Sequence, residues 1–262
     1  TTLIYANYDY LLGASEGLNN FRWGSRIKDI NLKYDLNYFA GNNDTWRAGV
    51  SSIHHTFKPG DIRIKLDSGD VFNYTITPSR ALESAAYIER EHKYNRWTFI
   101  YGLRYVLFQN VGQGVSYGLE NFEVVDTIQR KNGEFYNSYH GLEPRLGASY
   151  MLNTDASVKF SYNRMRQHAQ LASNATASSP LDVWFLANEN IKPQIADQVA
   201  VGYFKNWNNN KGSHSEYFIS WFLHFSHYHM SNSKWCDHHL LMKPMKYFRN
   251  ISYLYHYRNY KD

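Results

Sequence analysis

The side chains best suited to binding chemistry are charged residues that recur two positions apart in alternating segments, as Glu89 and Glu91 do. Residues two apart in an extended chain point to the same side, so these charges would share one face. There they would guide a polar ligand, or they would pair with opposite charges on neighbouring strands, each pair stabilising the sheet by ~0.2–1 kcal/mol. For any single residue the sequence favours the pairing. The candidate ligand-binding residues on this face are Arg104, Glu143, Arg145 and Lys159.

Aromatic residues in the long segments between the alternating stretches form a second candidate surface. Their rings would offer a stacking surface to an incoming ligand, although long loops also fold over and pack on themselves. The residues concerned are Tyr117, Phe122, Trp184 and Phe185. Of these, Tyr117, Trp184 and Phe185 are candidate ligand-binding residues.

Histidine and cysteine crowd the end of the chain, from His224 to His239, and their imidazole and thiolate groups are ligands of Zn and Cu. No interval among them matches a zinc-finger or zincin spacing. His54 and His55 are adjacent, so in a strand they point to opposite faces and cannot converge on one ion. No Ser/His/Asp grouping, HExxH motif or helix with paired carboxylates occurs. The sequence therefore predicts no enzyme, no metal site and no cofactor.

The elements that must position these residues are β-strands. The segment DINLKYDLNYF, residues 29–39, alternates polar and apolar residues without a fault, which is the pattern of a strand with one apolar and one charged face. The clearest apolar set on a second strand is Trp97, Phe99, Tyr101, Leu103 and Tyr105. Eight strands and a doubtful ninth are predicted, at 3–12, 26–39, 46–57, 84–93, 97–108, 142–152, 156–168, 194–207 and 213–226.

Two architectures place such strands differently. In a soluble antiparallel sheet the apolar face meets a core, whereas in a membrane barrel it meets lipid and the polar face lines a wet lumen. The 23 Tyr exceed what an ordinary core can use, because each buried hydroxyl needs a partner, and aromatic girdles at a bilayer interface account for such a surplus. No stretch approaches the ~20 apolar residues of a spanning helix. The net charge of +5 does not indicate nucleic-acid binding, since part of it lies in the tail.

The connections between the predicted strands run alternately long and short. Loops beyond ~12–15 residues are uncommon in compact domains, but a membrane barrel has short periplasmic turns and long outer loops. This order favours the barrel over a soluble β-sandwich. The short connections are 40–45, 93–96, 153–155 and 208–211, and the long ones are 13–25, 58–83, 109–141 and 169–193.

The predicted fold is therefore all-β, an antiparallel up-and-down transmembrane barrel segment. A sheet in a bilayer has to close, because every backbone N–H and C=O needs a partner there. About eight or nine strands without a visible closing strand predict an open arc of a larger barrel. The chain opens in the middle of a strand without a signal peptide, so we expect a fragment of an exported protein.

Three segments resemble TonB-dependent outer-membrane receptors, especially the Bacteroidetes type. GLEPRLGASYMLNTDASVKFSYNRMRQ, residues 141–167, is similar to an E-P-R strand, a tight turn and an S-x-K-x-S-Y-x-R strand of that family. AAYIEREHKYNRWTFIYGLRYVLF, residues 85–108, looks like the preceding hairpin. IKPQIADQVAVGYFKN, residues 191–206, resembles the next strand. Each motif alone is weak, but their order and spacing together cover roughly 3–211.

The resemblance implies a 22-stranded barrel in the bacterial outer membrane, plugged by an N-terminal domain. Such a receptor imports a scarce, large ligand (siderophore, corrin, glycan or peptide) with energy passed through TonB. Its partners would be outer-membrane lipid, the plug, TonB and a surface binding lipoprotein, with no nucleic acid. The alternatives are a smaller passive channel or adhesion barrel, or a soluble β-sandwich binding module.

The composition changes near residue 212, which divides the chain into a predicted barrel part, 1–211, and an atypical tail, 212–262. Seven of the twelve His and the single Cys lie in the tail, and acidic residues nearly vanish there. Alternation survives through Tyr217–Phe225 and then dissolves. A wrong reading frame or disrupted gene and a genuine divergent terminus both explain this change.

Overall fold

The structure is a computed structural model that describes residues 1–14, 20–66, 70–120, 123–173, 182–209 and 213–227. All regular elements in these ranges are β-strands. The strands are β1 (Thr2–Ala14), β2 (Asn20–Gly41), β3 (Asp44–Lys65), β4 (Val71–Thr75), β5 (Ser79–Tyr94), β6 (Trp97–Val111), β7 (Gly114–Glu120), β8 (Glu123–Arg130), β9 (Phe135–Met151), β10 (Ala156–Gln167), β11 (Ala169–Ser173), β12 (Asp182–Leu186), β13 (Gln194–Asn209) and β14 (Ser213–His227). Within the described ranges, no helix is long and apolar enough to cross a membrane.

One sheet dominates the molecule. Nine long strands follow one another in the order β1-β2-β3-β5-β6-β9-β10-β13-β14, and every neighbour is antiparallel. The short strand β4 pairs with the end of β3 as a tenth member. The sheet curls but stays open. The predicted all-β, antiparallel, open architecture is therefore confirmed, and the doubtful strand at 213–226 is β14.

Strands β2 and β3 run longer than the alternation predicted, with 22 residues each. Beyond a register shift between Gly24 and Arg26 they continue to pair, so that Phe21 lies opposite Ile64. An extra residue in one strand changes which side chains share a face. Both strands were predicted too short at this end. The extra residue breaks the period of two in β3, and in β2 the apolar Trp23 and Ile27 have the parity of Asp29 rather than that of Leu32.

The connections differ at the two rims of the sheet. At one rim the strands are joined by short turns at 42–43, 95–96 and 152–155. In the second of these turns Asn95 has a φ of +53°, a left-handed conformation that Asn adopts more readily than most residues. At the opposite rim the predicted long connection 13–25 is wrong, because β1 and β2 extend into it and only residues 15–19 separate them. The other three connections at this rim are long, and they contain strand β4 and the hairpins β7–β8 and β11–β12.

The apolar face of the sheet has no second layer against it within the described ranges. On β2, Leu36 and Tyr38 are 54% and 66% exposed, and on β6 every second residue from Tyr101 to Tyr105 is similarly open. A sandwich would bury this face against another sheet. The β-sandwich alternative is therefore excluded for the described part of the chain.

The opposite, charged face carries the buried groups. Near the rim with the long connections, β12 and the following Ala187 lie on this face and pack against three strands of the sheet. The buried cluster that results contains Phe57, Ala81, Phe108, Leu186 and Ala187. One connection thus folds inward and covers part of the face that the sequence assigned to the interior.

A close contact between β2 and β3 tests the extended pairing. A Cβ at Gly60 would lie 2.5 Å from the ring of Trp23, which is buried. We expect Gly60→Ala to lower the free energy of unfolding by about 1–3 kcal/mol, because the indole must shift. Chemical denaturation measures this difference.

The control for this experiment is Gly41→Ala, at a position where an added Cβ meets no atom within 4 Å. We expect its free energy of unfolding to stay within about 0.5 kcal/mol of the unmodified chain. Equal effects of the two substitutions would contradict the pairing of Trp23 with the Gly60 strand.

Candidate functional site

An ionic network crosses the charged face in the middle of the sheet. Arg104 on β6 lies opposite Glu143 on β9 in the strand register, and its guanidinium donates to that carboxylate at 3.0 Å. It also reaches Glu83 on β5 at 3.4 Å. Glu143 is only 1% exposed, so its charge is stabilised by these contacts rather than by water. The network joins three adjacent strands.

His168 ties the inward connection to this network. Its Nδ1 lies 2.9 Å from the Glu83 carboxylate, and its ring stacks on Phe108 with centroids 4.6 Å apart. The backbone N–H of Arg166 donates to Glu143 at 2.9 Å. The entry to the connection is therefore held by both carboxylates that bind Arg104.

A second ionic group lies nearer the short turns. Arg47 on β3 donates to Glu89 at 2.9 Å and to Glu91 at 3.1 Å, both on β5. Its side chain is 42% exposed, so water competes for these contacts and each pair contributes little to stability. The predicted charge pairing between neighbouring strands is thus present, with its buried part at Arg104 and Glu143.

Two of the charged candidates lie apart from both groups. Arg145 is exposed on the charged face, two residues from Glu143. Lys159 on β10 places its ammonium 4.3 Å from the centre of the Phe204 ring, beside a shallow depression of about 370 Å³. Spacing put these cations on the expected face, but the structure does not bring them together with Arg104.

A pocket of about 380 Å³ opens among the long connections, and we call it the rim pocket. Four aromatic residues from four parts of the chain contribute to its wall, namely Tyr74, Tyr117, Tyr136 and Phe185. Its polar lining includes Thr77, Ser116, Asn188, Glu189 and Asn190. The pocket is therefore an aromatic cleft with several hydrogen-bonding groups, which is the usual make-up of a small-molecule site.

The segment after β12 forms one wall of the rim pocket and is rigidly held. The side chain of Asn188 accepts the N–H groups of Asn190 and Ile191 at 2.9 and 3.0 Å, which closes a tight turn. Asn110 donates to the carbonyl of Ala187, and Tyr139 donates to the carbonyl of Asn188. This wall is thus ordered by contacts to β6 and β9 before any ligand arrives.

Arg130 supports a second wall of the rim pocket without lining it, because it holds Ser116, Tyr136 and Glu189, which do line the pocket. Its guanidinium donates to Glu189 at 3.0 Å and to Ser116 at 2.9 Å, and it lies 5.0 Å from the centre of the Tyr136 ring. It also reaches Glu134 at 3.4 Å. The backbone N–H of Lys131, with Arg130 adding to its effect, lowers the pKa of the Glu134 carboxyl. The Arg130 guanidinium therefore contacts four protein side chains.

The aromatic candidates divide between two places. Tyr117 and Phe185 line the rim pocket, whereas Trp184 packs against the buried cluster around Phe108. Phe122 lies outside the described residues. Tyr74 and Tyr136 also line the pocket but were not predicted from the sequence; they lie in the short strand VFNYT and at the start of β9. The signal available for Tyr74 was the short alternating segment after the turn-forming DSGD.

A metal site has no support among the described residues, since no three His, Cys, Asp or Glu side chains come together there. His229 and Cys236 lie outside the described ranges, and the side chains of His224 and His227 are not described.

Comparison with known proteins identifies related barrels. A family model described as TonB dependent receptor-like, beta-barrel matches residues 1–225. No curated protein matches the chain significantly. Among solved structures, the closed form of the ferric-catecholate import receptor Fiu from E. coli K12 is similar, with 11% identity and a TM-score of 0.41. The alignment covers 88% of this chain and 44% of that receptor, so the chain spans less than half the length of this relative.

The ionic network makes a quantitative prediction about Arg104. Replacing it in Arg104→Met leaves the buried Glu143 carboxylate without its cation, and we expect the free energy of unfolding to fall by about 3–5 kcal/mol. Arg47→Met removes a comparable number of ion pairs at an exposed position and should cost about 1 kcal/mol or less. Denaturation of both variants side by side measures the difference. Equal losses would mean that burial does not set the strength of these pairs.

Proposed function

Because the chain belongs to the family of TonB-dependent receptor-like β-barrels, we propose that it forms part of the wall of a receptor that imports a scarce, large ligand. Proteins of this family lie in the bacterial outer membrane. The observation that carries the proposal is the family match over residues 1–225, which runs from β1 into β14. Those same strands present an uncovered apolar face on one side and an ionic network on the other.

The membrane explains the apolar face. Side chains such as Leu103, Leu146 and Val201 are each more than 40% exposed, and hydrocarbon is the environment in which that exposure is favourable. Outer-membrane lipid is therefore the first partner in the proposal. Tyr38 and Tyr94 lie next to the short turns, where ring and hydroxyl meet the apolar zone and water, respectively.

The edges of the sheet require further strands. Within the described ranges β1 and β14 each pair on one side only, and an unpaired edge cannot persist in a bilayer. In the complete protein we therefore expect strands outside the described residues to close the barrel. A plug domain and TonB would supply gating and energy, and a surface lipoprotein would deliver ligand, as the family resemblance implies.

The rim pocket and the long connections are the proposed point of ligand entry, and the charged face is the route inward. The proposed ligand contacts are those predicted from the sequence, namely Arg104, Glu143, Arg145, Lys159, Tyr117, Trp184 and Phe185. The protein is proposed to transport rather than to catalyse, in keeping with its family of receptors and transporters. The likeness to the Bacteroidetes type and the division between 1–211 and 212–262 stay predictions, since most of the tail lies outside the described residues.

Conductance separates import through a gated barrel from passive diffusion. The complete protein in a planar lipid bilayer should show no steady ionic current, because a plugged lumen opens only when energy is supplied. Heat-modifiable migration in gels would first verify that the barrel is folded. Steady channels that pass current in proportion to voltage would contradict the proposal and support a passive channel.

The assignment of faces predicts an asymmetric response to a new cation. Leu103→Arg puts a charge on the apolar face, and we expect it to destabilise the barrel by about 2–4 kcal/mol. Ser161→Arg puts the same group on the charged face above the shallow depression, where we expect less than about 1 kcal/mol. Folding in lipid vesicles at graded denaturant concentrations measures both. A larger loss for Ser161→Arg would reverse the faces.

A further inference from the structure

We propose that the rim pocket binds an uncharged, polyhydroxylated ligand built of rings, which is the chemistry of a neutral oligosaccharide. The inference rests on the proposed import function and names the substrate class for it. It is drawn from three properties of the pocket: the aromatic surfaces, the state of its charges, and the hydrogen-bonding groups that its own fold leaves available.

The aromatic surfaces suit a saturated ring with one apolar face. Tyr74 and Tyr117 are 65% and 41% exposed, although each sits in a wall of the pocket. The C–H face of a sugar ring packs on such a ring while its hydroxyls reach the rim of the contact. Tyr adds a hydroxyl of its own at that rim, so stacking and hydrogen bonding come from one side chain.

The charges of the pocket argue against an anionic ligand. No Lys, Arg or His is found among the described residues that line it. Its one carboxylate, Glu189, already accepts Arg130 at 3.0 Å and Ser116 at 3.2 Å. A ferric catecholate or a phosphate would lose hydration here without gaining a cation, and that loss is costly. A cationic ligand would instead compete with Arg130 for Glu189.

Uncharged polar groups remain for a ligand with many hydroxyls. Asn190 uses its Nδ2 to hold the carbonyl of Tyr117, which leaves the Oδ1 of the same amide as an acceptor. Asn188 spends its Oδ1 on the turn, which leaves its Nδ2 as a donor. Thr77 adds a hydroxyl to the lining. Donors and acceptors without net charge match the groups of a neutral sugar.

The pocket is also formed in advance. The Asn188 turn and the Arg130 contacts fix two walls, so little conformational freedom is lost on binding. Its volume of about 380 Å³ is at the lower end of small-molecule sites, ~300–1,000 Å³. That space fits a short oligosaccharide or the terminal sugars of a longer chain.

Calorimetric titration of the complete protein in detergent tests the ligand class. The probes are maltohexaose, cellohexaose, xylohexaose and mannohexaose as neutral ligands, and ferric enterobactin as an anionic one. We expect at least one neutral probe to bind, with an affinity that changes less than about twofold between ~0.05 and ~0.5 M NaCl, since salt screens only charges. Ferric enterobactin should not bind in the pocket.

Substitutions place the binding in the rim pocket. Tyr117→Ala should weaken the neutral probe about tenfold or more through loss of the stacking ring, and Tyr117→Phe should retain most of the affinity. Phe185→Ala removes an aromatic ring from another wall of the pocket and should also weaken binding. Tyr94→Ala, at the opposite rim, is the control. Tyr94 is 63% exposed against 41% for Tyr117, and the variant should bind like the unmodified protein. Heat-modifiable migration verifies that each variant is folded.

The inference fails if no neutral probe binds at ~10 mM, or if binding is indifferent to both Tyr117→Ala and Phe185→Ala in folded protein. It also fails if ferric enterobactin binds and depends on Tyr117. In that last case the import function survives and only the substrate class is wrong. Steady conductance of the complete protein would instead contradict the proposed import function, whichever probe binds.

Discussion

This structure depends on one constraint. The side chains of a strand point alternately to opposite faces, and the face that contacts hydrocarbon must be apolar. With Leu and Tyr side chains turned to the lipid, charged residues such as Arg104 and Glu143 lie on the inner face. Arg90 on β5 is an exception: it lies on the apolar face near the short turns, where it pairs with Asp44 and donates to the Tyr101 hydroxyl. On the inner face the opposite charges of β5, β6 and β9 meet in register, with Arg104 between Glu83 and Glu143. The ionic network is thus a consequence of the lipid face, and it stabilises the pairing that creates it.

The inward connection links the ionic network of the barrel wall to the rim pocket. His168 and the backbone of Arg166 bind the carboxylates that hold Arg104, and the segment after β12 then covers Phe108 before it reaches the rim pocket. The carbonyl of Tyr117, where we propose that the ligand binds, accepts a hydrogen bond from Asn190, and Asn190 in turn belongs to the Asn188 turn. Such a chain of ordered contacts offers a direct structural path between the outer rim and the interior of the barrel.

The sequence was sufficient for the wall but not for the site. The period of two located the long strands and their faces, because alternation within a single strand shows which of its residues share the apolar face. Turn-forming residues such as Asn95 located the rim with the short turns. The period of two did not locate β4 or the two small hairpins, because their strands have only five to eight residues and lie in segments that were predicted as connections. Arg104 and Arg145 look alike in sequence, and only the register that sets Arg104 opposite Glu143 separates a buried ion pair from an exposed cation. The rim pocket needed residues from three connections, which no local pattern brings together.

The central claim is that the residues from Trp97 to Tyr105 alternate between lipid and the solvated interior. Spin labels placed singly along this stretch of the complete protein in bilayers test it, through collision with oxygen, which concentrates in lipid, and with a water-soluble nickel chelate. We expect oxygen accessibility to peak at 97, 99, 101, 103 and 105 and nickel accessibility to be lowest there, with a period of two. Nickel accessibility that peaks at those odd positions, or no period at all, would contradict the account.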